Sequence, residues 1–471
     1  MLNIIEKTLS LFRPCFSRAK AYCWFVIVTV GFMIRQDHLG VTSFIRDMDL
    51  GPHWYESLIH FFRAKSWKAS EIRKTWYRCV SESRKLYTVK GRYVMAGDGV
   101  KQSKEAVRMP GVKKMSQESE TCSKPEFIHG HLFGALAIVA GGPTRRFCIP
   151  LKMNLQDGLR EMAEWAGSEV SSKSHVIQMI EAAFESAKII GKSFLVLDRY
   201  FLTVPALDRL DELNAANQAE DEPQMVEIIT KAKKNCVAYM KPHDNGDRRP
   251  GRPRKKGSKV ILWDLFKCIK YFKKGTAMMY GERKDVRYFS CVLLWGPKRY
   301  KPLRFVLVES EGLRSILVST DASLDAITII ELYANRFSIE ETFREFKQQI
   351  GGFCYHFWTK SIAKLNHFAK ETDPTPLEMV SERDRGKVLD TVKAIEGYVL
   401  FASIAMGILQ MIALDETPSG EAQKSRYLRT MPKVHPSEAT IMYYLRRRFY
   451  PVLLKTPDSF ITRIITEKMA S

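Results

Sequence analysis

Acidic residues are what this chain is short of. Its 52 Asp and Glu stand against 74 Lys and Arg, a formal charge of +22. That imbalance points to nucleic acid more than to a membrane surface or a small acidic substrate. Cysteine is also unhelpful as scaffolding. The nine cysteines (15, 23, 79, 122, 148, 236, 268, 291, 354) are odd in number, scattered, and never spaced C-x-x-C. Neither a zinc ribbon nor a disulfide framework is supported, and reduced thiols of a cytoplasmic protein are expected. No internal repeat or low-complexity tract is evident. Runs long enough for a membrane are wanting too. Tyr22 to Ile34 is too short to span a bilayer, and no A-x-A-like cleavage site follows it. Gly397 to Leu414 is longer, but Ser403, Gly407 and Gln410 interrupt it, so it reads as a buried C-terminal helix and no membrane partner is expected.

What is present is charge in two places. Residues 1–92 hold 16 Lys/Arg against 7 Asp/Glu, and residues 243–322 hold 19 against 8. Nearly all the excess lies in these two stretches, so the rest of the chain is close to neutral. Two basic lobes beside a neutral core suit a protein that grips DNA on both sides of one site. At 471 residues the chain exceeds most single cores, and with 45% hydrophobic residues it can bury a sizeable one.

The most specific pattern is E-L-Y-A-N-R-F-S-I-E-E-T-F-R-E-F-K. Tyr333, Arg336, Glu340 and Lys347 fall at offsets 0, 3, 7 and 14, along one stripe of a single helix. One carboxylate among a phenol, a guanidinium and an ammonium suits a metal ligand beside a phosphate-binding rail. Glu341 and Glu345 are rival carboxylates, but Glu341 is rotated about 100° off the stripe. Asp321 or Ser323 can cap the start of this helix, and Gly351-Gly352 can stop it. Upstream, two aspartates close short apolar runs. Asp98 follows Tyr93 to Ala96, with Gly97 and Gly99 leaving room for DNA or metal against the backbone. Asp198 follows Phe194 to Leu197, an uninterrupted run of the kind buried on both faces.

The spacing Y-(2)-R-(3)-E-(6)-K resembles the signature of DDE transposases of the insertion-sequence type, the family numbered IS-four. The resemblance covers residues 93–350 and is weak outside them. It implies an α/β fold, a ribonuclease H-like mixed-sheet catalytic core interrupted by a β-rich insertion, with helical N- and C-terminal regions. Boundaries follow: a helical DNA-binding domain over 1–90, the core over 91–242 and 321–358, the basic insertion over 243–320, and a helical C-terminal region over 359–471. It further implies that Asp98, Asp198 and Glu340 hold two Mg2+ ions, with Mn2+ able to substitute. Double-stranded DNA would be cut at transposon ends and joined to target DNA by a homodimer in a prokaryotic cytoplasm, at the nucleoid. Arg336 and Lys347 would clamp phosphates, Tyr333 would hydrogen-bond one, and Arg199 is a weaker candidate. Two rivals remain: a non-catalytic DNA-binding descendant of a transposase, and a ribonuclease H-like repair or recombination nuclease.

The intervening elements can be read in outline. Phe127 to Ala140 and Arg146 to Leu155 predict a hairpin joined by G-G-P-T, and Ser174 to Ile190 a helix. Residues 204–235 read as acidic amphipathic helices and Cys236 to Met240 as a strand. Val260–Leu262, Thr276–Tyr280, Arg287–Trp295 and Arg304–Glu309 predict strands of the insertion. Its opening, R-R-P-G-R-P-R-K-K, reads either as a minor-groove hook using Arg252 and Arg254 or as a basic loop on phosphates. In the N-terminal lobe, Val41 to Met48 and a helix started by Pro52, with Trp54, Leu58, Phe61 and Phe62 on one face, are compatible with a helix-turn-helix. Family members hold a flipped base with an aromatic of the insertion, for which Trp263 and Trp295 are weak candidates. Trp358 could line DNA or pack. His129 and His131 share a strand face without a metal-ligand partner set.

Overall fold

Thirteen strands hydrogen-bond into one mixed sheet, with helices packed on it and a helical bundle at one end. This computed structural model describes all residues except 118–124, 144, 157–159, 166–173, 218–223, 243–253, 367, 369–372, 417–421, 423–434 and 470–471. The chain opens with helices α1 (Leu2–Ser10), α2 (Ala19–Ile34), α3 (Thr42–Asp47), α4 (Trp54–Arg63) and α5 (Ala69–Ser81). Strands β1 (Thr88–Val89), β2 (Arg92–Ser103), β3 (Lys113–Ser116), β4 (Phe127–Gly141) and β5 (Arg146–Leu155) follow. Then come α6 (Arg160–Trp165), α7 (His175–Ile190), β6 (Ser193–Leu197), α8 (Val204–Ala216), β7 (Val226–Lys231), β8 (Val237–Tyr239) and β9 (Lys259–Ile261). Strands β10 (Lys273–Met279), β11 (Glu282–Trp295), β12 (Lys301–Ser310) and β13 (Leu313–Ser319) complete the sheet. Helices α9 (Ala326–Ala334), α10 (Phe337–Glu345), α11 (Glu382–Asp415), α12 (Glu438–Lys455) and α13 (Phe460–Met469) end the chain.

The strand order is β3-β4-β2-β6-β7-β13-β12-β11-β8-β9, with β5 on β4, β1 on β2 and β10 on β11. Among the described residues only β2/β6 and β6/β7 are parallel. All five residues of β6, the central strand of the three, are buried, as a strand covered on both faces requires. The hairpin of β4 and β5 forms as its sequence predicts. One expectation fails nearby. Residues 204–235 are not all helical: α8 ends at Ala216, and 226–231 form β7 in the middle of the sheet.

The strands of 259–319 are β-forming, and they extend the same sheet: β13 pairs with β7 through Leu317↔Lys231 to Ser319↔Ile229. Their outer part has its own small core, with Leu262, Phe266, Leu293, Leu303 and Phe305 buried together. The N-terminal helices share a core with the C-terminal ones. On α4, Leu58, Phe61 and Phe62 are buried, and the Phe61 ring stacks on Phe401 of α11 at 5.5 Å. Helix α4 starts at Trp54; Pro52 lies in the turn before it. Helix α11 begins at Glu382, within the 369–386 stretch whose polar composition suggests a plain connection. Among the described residues α11 is the one helix long and apolar enough to cross a membrane, and 94% of its most apolar window is buried inside the protein.

Candidate active site

Asp98 and Asp198 are a hundred residues apart in sequence and adjacent in the sheet. Parallel strands β2 and β6 end their pairing at Gly97↔Leu197, so each aspartate is the next residue on neighbouring strands. This is the carboxyl edge where open α/β sheets gather chemistry. Asp98 continues the strand and pairs across β4 with Ala135. Asp198 leaves it into a short 3-10 turn, and its carbonyl accepts the Thr230 hydroxyl at 2.8 Å. Gly97 does not leave space for a ligand. A Cβ there would sit 2.7 Å from Leu197 Cδ2 and 2.8 Å from Met179 Sδ, so the glycine lets α7 press against the sheet beside Asp98.

Glu340 does not sit on one long helix. Helix α9 is capped by Asp325, whose Oδ1 accepts the Thr328 amide at 2.9 Å. Asp321 instead accepts the amide and hydroxyl of Ser323 in a local turn. At Asn335–Arg336 the backbone tightens, the Arg336 amide bonding to the Tyr333 carbonyl, and α10 starts afresh at Phe337. Phe346–Ile350 then form a π-helical turn, closed by Gly351 at φ +63°. Tyr333, Arg336, Glu340 and Lys347 are thus spread over three successive helical pieces. They are still brought to one side. Arg336 Nη1 donates to Asp98 Oδ2 at 2.9 Å and Nη2 to Glu340 Oε1 at 2.5 Å. Lys347 Nζ donates to the Lys101 carbonyl at 3.2 Å, three residues beyond Asp98 on β2.

The electrostatics follow from crowding. Burial pushes the Asp98 carboxyl up to about 6; Arg336 and the Gly99 amide pull it down, while Asp198 and Glu340 add to the rise. Burial works against charge on Arg336, yet Asp98, Tyr333, Glu340 and Asp198 outweigh it and hold the guanidinium firmly protonated. Tyr333 is raised to about 12, first by burial and then by Asp198, against the pull of Arg336. The sequence reading missed Lys231. It ends β7 next to Asp198, and burial lowers its affinity for a proton while Asp198 raises it. Reading 204–235 as helix hid this lysine, because only the strand assignment puts it at the sheet edge. Arg199 is exposed beside Asp198.

The rival carboxylates separate from the site. Glu341 and Glu345 line a cavity of about 820 Å3 with Arg145, Arg146, Arg344 and Glu282, whereas Glu340 shares Arg336 with Asp98. At the end of the β10–β11 hairpin, the exposed Tyr280 ring meets the exposed Phe337 ring edge-on at 5.7 Å, one residue from Arg336. Neither aromatic stood out in the sequence. Trp263 and Trp295 pack partly into the small outer core instead. Arg254 is exposed; Arg252 lies outside the described residues. His131 is structural, held between the Tyr355 hydroxyl and the Pro110 carbonyl.

The carboxylate set suits a hard divalent ion, since it offers oxygen donors without thiol or imidazole. Arg336 already bridges two of the three carboxylates with positive charge. Among the described residues no three Asp, Glu, His or Cys side chains are grouped closely enough to hold a metal. Compared with protein-family profiles, with curated proteins and with solved structures, the chain matches none.

Proposed function

We propose that the chain is a DDE-type transposase, cutting DNA at transposon ends and transferring the freed strand to target DNA. The observation that carries this is Arg336 bridging Asp98, which follows the part of β2 paired with β6, to Glu340 on α10, with Asp198 next to Asp98 at the end of the neighbouring parallel strand. The strand arrangement supports it. The order β5-β4-β2-β6-β7, with two antiparallel pairings and then two parallel ones, and with α7 and α8 in the crossovers, is compatible with the ribonuclease H-like core that this reading expects.

In this reading Asp98, Asp198 and Glu340 hold two Mg2+ ions, or Mn2+ in their place. When bound, the ions supply activation of the attacking oxygen and neutralisation of the departing one. The chain's own residues do the rest. Arg336 turns its planar fork from the carboxylates to a phosphate, and Lys347 adds a point charge further along β2. Tyr333 stays protonated at neutral pH and donates its hydroxyl to a phosphate oxygen. Lys231 and Arg199 flank Asp198 on the outer side. Tyr280, rather than Trp263 or Trp295, is the insertion aromatic placed to meet a displaced base. The partners are double-stranded terminal repeats and target DNA, gripped by a homodimer at the nucleoid of a prokaryotic cytoplasm.

The test is strand cleavage with Mg2+ or Mn2+ on duplex DNA spanning an end of the element that encodes this chain. Wild type should cut at the boundary. Glu340→Gln should lose well over about a hundredfold, since even outer partners of metal ligands are worth about 10–100-fold. A mutant that cuts as well as wild type would remove Glu340 from the site. End binding without cutting by the wild type would favour a non-catalytic DNA-binding protein, and cutting of branched DNA without end preference a repair nuclease.

A further inference from the structure

Beyond Asp98, β2 runs on into the loop 104–112, which lies against residues 353–365. The two segments are tied by the Thr359 amide on the Arg108 carbonyl at 3.1 Å and the Leu365 amide on the Val107 carbonyl at 2.7 Å. Arg108 clasps them, its Nη1 donating to the carbonyls of Lys360 and Ile362. Along residues 353–358 burial alternates residue by residue. Phe353, Tyr355 and Phe357 are buried, and Phe357 packs its ring 5.1 Å from Phe62. The opposite phase turns Trp358 outward, half of it exposed. Arg63 fixes the backbone there by donating to the Trp358 carbonyl at 3.3 Å.

The indole borders an open cavity of about 480 Å3 with Val107, Arg108, Lys360 and Lys364. That size lies in the range of small-ligand sites. The surroundings are strongly basic: residues 101–114 and 353–364 together hold seven Lys and Arg against one acidic residue, Glu105. An exposed indole on a tied-down backbone amid cations is the pairing that binds unpaired nucleotides, with bases on the ring and phosphates on the charges.

We propose that Trp358 is a stacking platform for an unpaired base of single-stranded DNA, with Lys360 and Lys364 on the adjoining phosphates. The nine residues from Asp98 to Val107 span at most about 30 Å, within reach of one DNA molecule seated at both places. The proposal rests on the transposase reading for its biological substrate, a strand opened near the cut; the binding chemistry stands by itself.

The experiment measures fluorescence anisotropy of a labelled 20-nucleotide oligothymidine and of a blunt duplex of equal length, using the full chain. Trp358→Ala should weaken oligothymidine binding about five- to a hundredfold. It should leave duplex binding within about twofold and thermal unfolding unchanged, and Trp358→Phe should keep most of the affinity. Lys360→Gln with Lys364→Gln should flatten the salt dependence by about 0.7 per lysine. Undetectable oligothymidine binding by wild type, unchanged binding by Trp358→Ala, or an equal loss on duplex would each overturn the proposal. A Trp358 effect in a protein that never cleaves DNA would leave stacking in place and sink the transposase reading. Cleavage by wild type with no Trp358 effect would do the reverse.

Discussion

Arg336 donates to Asp98 at 2.9 Å while its other Nη holds Glu340. One guanidinium therefore stands between two carboxylates that, in the proposed chemistry, need a divalent ion. Two cations this close repel, so ion binding and the present position of Arg336 compete. Arg336→Met should bind Mn2+ several-fold more tightly and cleave DNA at least about tenfold more slowly, because the phosphate clamp is lost with the competitor. A Mn2+ titration followed by electron paramagnetic resonance decides this, and weaker Mn2+ binding by the variant would refute the competition.

Arg35 reaches from the N-terminal bundle to the end of the helix series that carries Glu340. Fully buried, it donates to the carbonyls of Gly40, Ile350 and Gly351, to Ser43 and to the Tyr398 hydroxyl. Removing it strands several buried acceptors. Arg35→Met should cost about 3–5 kcal/mol in urea unfolding, and Arg35→Lys should recover little, since one ammonium cannot fan out to five acceptors. Full stability in the methionine variant would show the carbonyls find water.

Gly407 sits inside α11, where alanine is favoured by about 1 kcal/mol on propensity alone. A Cβ there would lie 2.3 Å from Trp76 Cζ2, and Trp76 is pinned by its Nε1 bond to the Pro150 carbonyl. Overpacking of about 1–3 kcal/mol should win, so Gly407→Ala is expected to destabilise. A raised urea midpoint would mean that Trp76 can shift.

His131 gives a pH signature. Pro110 offers only an acceptor, so Nε2 carries the hydrogen and Nδ1 accepts from Tyr355. Burial holds the ring down to about 4, against an ordinary 6.5. The unfolded chain binds the extra proton first, so the stability from this site is complete above about pH 6.5 and is lost as pH falls toward 4. Compared with His131→Gln, wild type should lose on the order of 3 kcal/mol more across that window. Parallel stability curves from pH 7 to 4 would contradict this.

The local signals in the sequence were good where a residue's fate depends on its neighbours. Phe194 to Leu197 could hardly be anything but a buried strand, and the hairpin of 127–155 announced itself by its turn. Strand β7 was hidden because Glu227 breaks its apolar run. That carboxylate is buried and meets Thr320, 93 residues away, a partner that no local pattern reveals. Helical phase already separates Glu340 from Glu341, which meet different neighbours in the structure, yet the joint at Asn335–Arg336 could not be read from the sequence. The Asn335 side chain caps the turn there, its Nδ2 donating to the Glu331 carbonyl while its Oδ1 accepts from Arg146 of β5.

The ladder that runs from β7 straight into β13 has a practical consequence. Residues 243–320 resemble an appendage in sequence, but cutting them out would strip the partner from Val226–Lys231, five of whose six residues are buried. That strand would become a bare apolar rim, open to pairing with other chains. A shortened protein would therefore clump before its DNA contacts could be assayed, and the insertion is better dissected by changing single surface side chains than by deletion.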